Sequence, residues 1–121
     1  MTFEHVALNL ADYEEAADWY RANLGMTTVR EVPGKMIFLA DEAGTVVFEL
    51  YSNPEAPHLD PHRMHALTLH VAFAVDDVEQ EARRLVESGC SITDPVKSVG
   101  NDTLAMLRDP HGVSIQLVHR G

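Results

Sequence analysis

HVALNLAD, at residues 5–12, returns as HVAFAVDD at residues 70–77. Four of the eight positions are identical, and each copy opens on a histidine and closes on an aspartate. Both alternate bulky apolar residues with small or polar ones, so each is a strand with two chemically distinct faces. Carried onward at the same offset, Glu14 falls on Glu79 and Ala17 on Ala82. Asp12 with Glu15 and Asp77 with Gln80 have the spacing of a capping box, which satisfies free N–H groups in the first turn of a helix. A helix therefore follows each strand. The first buries Tyr13, Ala16, Ala17, Tyr20 and Leu24, the second Val78, Ala82, Leu85 and Val86, and Gly25 and Gly89 end them.

Three strands complete each half. In the first they are 26–32 (MTTVREV), 35–40 (KMIFLA) and 45–51 (TVVFELY), with turns at Pro33-Gly34 and at 41–44. In the second they are 91–99 (SITDPVKSV), 102–108 (DTLAMLR) and 113–119 (VSIQLVH), with turns at Gly100-Asn101 and at 109–112. The turns Asp41-Glu42-Ala43-Gly44 and Asp109-Pro110-His111-Gly112 are a second echo, each leading into an apolar strand. Strand–helix–strand–strand–strand is thus written twice. We expect an α+β protein, one domain over 1–121, with module 1 at about 1–53, a linker at about 54–65 and module 2 at about 66–121. A four-stranded sheet with one covered face calls for a partner layer, so two such modules are expected to pack around a shared cleft.

The bulk numbers agree with one ordinary domain: 121 residues, 45% hydrophobic and 23% charged. The net charge of −10 disfavours nucleic acid, whose phosphates need a basic stripe. One cysteine, Cys90, allows no intrachain disulfide. The first residues lack the pattern of a signal peptide, and no apolar run reaches the length of a membrane span. The expectation is a soluble cytoplasmic protein with no nucleic-acid or membrane partner.

Strand alternation sorts the candidate site residues. Val6, Leu8 and Leu10 lie opposite His5, Ala7 and Asn9; Leu69, Val71, Phe73 and Val75 lie opposite Thr68, His70, Ala72 and Ala74. The bulky set meets the helix, leaving a histidine among small residues on the other face. The last strand of each half carries one polar residue in an apolar run, Glu49 in VVFELY and Gln116 in VSIQLV. A carboxylate in such a run needs a partner, a hydrogen bond or a metal. Two imidazoles, one carboxylate and one amide oxygen suit a divalent ion such as zinc, nickel, manganese or iron. His58, His62 and His65 read as solvated linker residues, Trp19 and Tyr20 as packing, and Cys90 as an unactivated thiol.

HVALNLADYEEAADWYRANLGM and RDPHGVSIQL resemble the opening strand–helix and the closing turn–strand of the vicinal oxygen chelate superfamily, the group of glyoxalase I, fosfomycin- and bleomycin-resistance proteins and extradiol dioxygenases. The resemblance covers essentially the whole chain. It implies paired βαβββ modules forming a U-shaped cleft around a divalent metal, a small-molecule substrate chelated through neighbouring oxygens, and a homodimer. The family's ligand positions fall on His5, Glu49, His70 and Gln116, with Gln116 departing from the usual glutamate. An amide there leaves the centre one unit more positive and removes a candidate base, so Glu49 becomes the expected catalytic residue of a glyoxalase-like lyase or isomerase. The alternatives are a metal-free, bleomycin-resistance-type sequestering protein, for which the negative charge would suit a cationic drug, and a metal-dependent dioxygenase or thiol transferase.

Overall fold

The computed structural model describes residues 1–121. Its elements run β1 (Val6–Asn9), α1 (Tyr13–Asn23), β2 (Thr27–Val32), β3 (Met36–Ala40), β4 (Val46–Tyr51), a 3₁₀ turn at Pro61–Arg63, β5 (Val71–Ala74), α2 (Val78–Glu87), β6 (Ser91–Val99), β7 (Asp102–Arg108) and β8 (Ser114–His119). The chain forms two compact units, Met1–Leu59 and Asp60–Gly121. Each holds one helix and one four-stranded sheet, ordered β1-β4-β3-β2 in the first and β5-β8-β7-β6 in the second. The architecture is therefore α+β, a βαβββ unit built twice.

The agreement between the units extends to single hydrogen bonds. β1 runs parallel to β4 with Ala7 opposite Glu49, and β5 runs parallel to β8 with Ala72 opposite Gln116. Past the ends of these strands Leu10 N–H donates to Tyr51 O at 2.8 Å, and Val75 N–H donates to Val118 O at 2.9 Å. In the two echoing turns, Asp41 Oδ1 accepts from the N–H groups of Ala43 and Thr45, and Asp109 Oδ1 from those of His111 and Val113. An aspartate side chain that bonds its own backbone two residues on is the reason this residue starts such turns.

In the first unit Tyr13, Ala16, Ala17 and Tyr20 of α1 are buried, and Tyr20 packs on Phe48 of β4 with ring centroids 5.3 Å apart. Leu8, Leu10, Ile37, Leu39 and Leu50 complete that core. Each fully buried side chain of this size stabilises by about 1.5–3 kcal/mol. The second core gathers Val78, Ala82 and Leu85 of α2 with Leu107, Ile115 and Leu117.

The helix ends depart from expectation in three places. Asp77 caps α2 as the box predicts, accepting from Gln80 N–H at 3.0 Å. Asp12 makes no side-chain cap bond to α1; its backbone carbonyl instead accepts from Ala16 N–H. Leu24 is the half-buried C-cap of α1 rather than a stripe residue, and Val86 is exposed. Val86 lies beside Leu85 on the helix, about 100° round from it, which turns it off the narrow buried stripe. Beyond α2, Gly89 adopts φ +109° while its N–H bonds Val86 O and that of Cys90 bonds Leu85 O. That paired closure is a Schellman motif, and the positive φ is what calls for glycine.

Residues 52–65 are held by two side chains. Asn9 Oδ1 accepts from Asn53 N–H at 2.7 Å, and its Nδ2 donates to the carbonyls of Asn53, Ala56 and Pro57. In the second unit the Arg108 guanidinium donates to the carbonyls of Pro61, Met64 and Gly112. No helix is long and apolar enough to cross a membrane.

Candidate functional site

In the first unit α1 covers one face of the sheet and takes up the bulky residues of β1 and β4. The opposite face carries His5, Ala7 and Asn9, then Val47, Glu49 and Tyr51, all exposed or half-buried. Cross-strand register places Glu49 between Ala7 on β1 and Phe38 on β3. A small residue on one side leaves room above the carboxylate; an aromatic on the other makes an apolar wall. His5, immediately before β1, meets that wall edge-on, with ring centroids 5.2 Å apart and planes at 86°.

His5 Nε2 stands 3.5 Å from Glu49 Oε2, and the two side chains are 31% and 22% exposed. The other ring nitrogen, Nδ1, contacts the Glu4 carboxylate. An ionised carboxylate only accepts, so Nδ1 carries the proton and a neutral His5 presents the Nε2 lone pair toward Glu49. Lone pair and carboxylate oxygen then face each other beyond the roughly 2.7–3.2 Å of a good hydrogen bond. A proton on Nε2 makes this an ion pair; a cation between the two atoms satisfies both. Two donors about 2.1 Å from one tetrahedral ion lie about 3.4 Å apart, close to the observed spacing.

In the second unit His70 and Gln116 occupy the matching places. His70 lies just before β5, and Gln116 faces Ala72, two residues further on, as Glu49 faces Ala7. Met106 of β7 stands on the other side of Gln116, where Phe38 stands beside Glu49. His70 Nδ1 donates to Ala66 O at 2.8 Å, which again frees Nε2. A ring whose far nitrogen is fixed by an oxygen is the common arrangement of a metal-binding histidine.

No three His, Cys, Asp or Glu side chains gather as a metal-holding group within either unit. Each unit offers two of the four predicted donors, and these are chemically suited to a divalent ion: a neutral imidazole with a carboxylate, and a neutral imidazole with an amide. Three of the remaining histidines are occupied otherwise. His58 Nε2 bonds Ser52 Oγ at 2.8 Å, His65 Nδ1 accepts from Leu67 N–H, and His119 Nδ1 bonds Val75 O. Burial pushes the Cys90 thiol up to about 12, reinforced by the nearby charge of Asp109, so it is no nucleophile at neutral pH. Phe38, Glu4 and the Ala66 carbonyl escaped sequence reasoning. Only Glu4, next to a predicted ligand, left a signal there.

Lactoylglutathione lyase of Neisseria meningitidis serogroup A is 27% identical, the match covering 99% of this chain and 91% of the enzyme. Among solved structures, TnmS3, an antibiotic binding protein from Streptomyces sp. CB03234, superposes with a TM-score of 0.76 at 23% identity, covering 100% of this chain and 97% of that one. Lactoylglutathione lyase from Agrobacterium tumefaciens gives 0.69 at 21% identity, covering 98% and 92%. Residues 2–117 match the family model of the Glyoxalase/Bleomycin resistance protein/Dioxygenase superfamily, and the chain belongs to that superfamily.

Proposed function

We propose that the protein is a glyoxalase-like, divalent-metal-dependent lyase or isomerase, in which His5, Glu49, His70 and Gln116 hold the metal and Glu49 moves the proton. The observation that carries this reading is the approach of His5 Nε2 to Glu49 Oε2 with His5 Nδ1 already engaged by Glu4. A bound divalent ion would supply Lewis-acid polarisation of a substrate carbonyl. Glu49 is the one carboxylate of the set, and so the one member able to take a proton from the carbon beside that carbonyl and return it to the neighbouring carbon. The exchange is an isomerisation, and it consumes neither oxidant nor reductant. Gln116 holds position through its amide oxygen and takes up no proton. The Phe38 ring beside the carboxylate keeps water from one side of it. The similarity to lactoylglutathione lyases makes thiol hemithioacetals the substrate class to test. A homodimer in the cytoplasm is the setting we propose, in keeping with a single buried thiol.

The test is incubation of metal-loaded protein with the glutathione hemithioacetal of methylglyoxal in D₂O, followed by NMR. Thioester formation or deuterium exchange, lost in Glu49→Gln, supports the reading. Metal-loaded protein that causes neither refutes it. The net charge of −10 favours a second reading, sequestration of a cationic ligand without metal. Retention of a cationic glycopeptide by metal-stripped protein would select it.

A further inference from the structure

The geometry points to Glu4 as the positioning residue of His5, supplying from outside the ligand set the negative charge that Gln116 lacks. This inference rests on the metal-binding reading above and extends it to a residue that touches no substrate.

The two histidines are held differently. His70 Nδ1 is bonded by a neutral backbone carbonyl, that of Ala66, at 2.8 Å. His5 Nδ1 is bonded by a carboxylate, that of Glu4. The two ligand pairs also differ, since β4 contributes Glu49 where β8 contributes Gln116. The four donors together carry one formal negative charge, against the two positive charges of a divalent ion. A carboxylate on the far side of the His5 ring makes its Nε2 a stronger donor, because charge drawn toward the ion is balanced through the ring by Glu4. It also fixes the tautomer: with the proton held on Nδ1, Nε2 is left bare on the side facing Glu49. Glu4 is 74% exposed and contacts only the far nitrogen of the ring, so its effect passes through the ring it orients.

Two variants and two readouts test this. The side-chain ¹⁵N shifts of His5 and His70 in metal-free protein report each tautomer; zinc affinity is measured by competition with a chelator. In wild type we expect His5 to be predominantly Nδ1-protonated. Glu4→Ala should redistribute the His5 proton, leave the His70 shifts in place and weaken zinc binding roughly 10- to 100-fold. Glu4→Gln, whose amide oxygen still accepts from Nδ1–H, should retain the tautomer while losing part of the affinity. A Glu4→Ala variant that binds zinc like wild type, or that alters His70 as much as His5, overturns the inference alone. Wild-type protein that takes up no zinc overturns the metal reading and this inference with it.

Discussion

Asn9 makes a quantitative test of how the loop after β4 is held. Its carbonyl oxygen accepts one hydrogen bond and its two amide hydrogens serve three loop carbonyls, so removing it deletes about three bonds' worth of interaction. At about 0.5–1.5 kcal/mol each the ceiling is about 4.5 kcal/mol, and ready hydration of the freed groups brings Asn9→Ala to about 1–2 kcal/mol. Asn9→Asp is the sharper probe. It keeps the acceptor for Asn53 N–H but turns a second oxygen toward the carbonyls of Asn53, Ala56 and Pro57, with no hydrogen between them. It should therefore cost at least as much as alanine. The reporter is Leu59 N–H, which donates to the Asn9 backbone carbonyl at 2.8 Å and is untouched by either substitution. Its hydrogen exchange should accelerate roughly 5- to 30-fold, the factor belonging to 1–2 kcal/mol of local opening. Leu10 N–H, bonded to Tyr51 O, should keep its wild-type rate. If Leu59 is as protected in Asn9→Asp as in wild type, the loop is held by something other than this amide.

Four further outcomes follow from local geometry and burial. Gly112 has φ +96°, and an added Cβ would come within 2.6 Å of His62 N, so Gly112→Ala should lose about 2 kcal/mol or more in urea denaturation. Gly34→Ala, with φ +74° and open space around it, should lose only about 1–2 kcal/mol. Asp77→Ala should cost about 1 kcal/mol through the lost bond to Gln80 N–H, and Asp77→Asn much less, since asparagine caps about as well. Cys90 is 6% exposed and its thiol rises from 9.0 to about 12, chiefly through burial. Alkylation at pH 8 should thus be slow until the protein is denatured. Because the unfolded thiol ionises first, the stability tied to this group is intact below pH 9 and is lost as pH climbs toward 12.

The residues that made the fold legible are those whose roles are local. Alternation in HVALNLAD and HVAFAVDD identified two strands and their faces, and the aspartate and glycine turns fixed the strand order that followed. Asp77 capped as its spacing indicated, whereas Asp12, in the same pattern, did not; the motif names a side chain able to cap, and backbone angles at the helix entry decide whether it reaches. The pairing of Ala7 with Glu49 and of Ala72 with Gln116 sets the two polar residues at matching points of the two sheets although the intervening segments differ in length by two residues, so the register comes from the strand pairing and not from the spacing. Less could be read of the contacts that cross long stretches of sequence. Asn9 reaching Pro57, Arg108 reaching Pro61 and Phe38 flanking His5 depend on strand registry and loop path, and no short motif encodes either.

If His5 and Glu49 help hold a divalent ion, the metal content of the protein must depend on both side chains. Wild type, His5→Ala, Glu49→Ala and His70→Ala would be loaded with zinc, dialysed side by side and analysed for bound metal, with circular dichroism to verify folding. Wild type should retain about one equivalent per chain, and every folded variant should show a large loss. Equal metal content in wild type and all three variants, or none in any, would contradict a metal-holding role for these side chains.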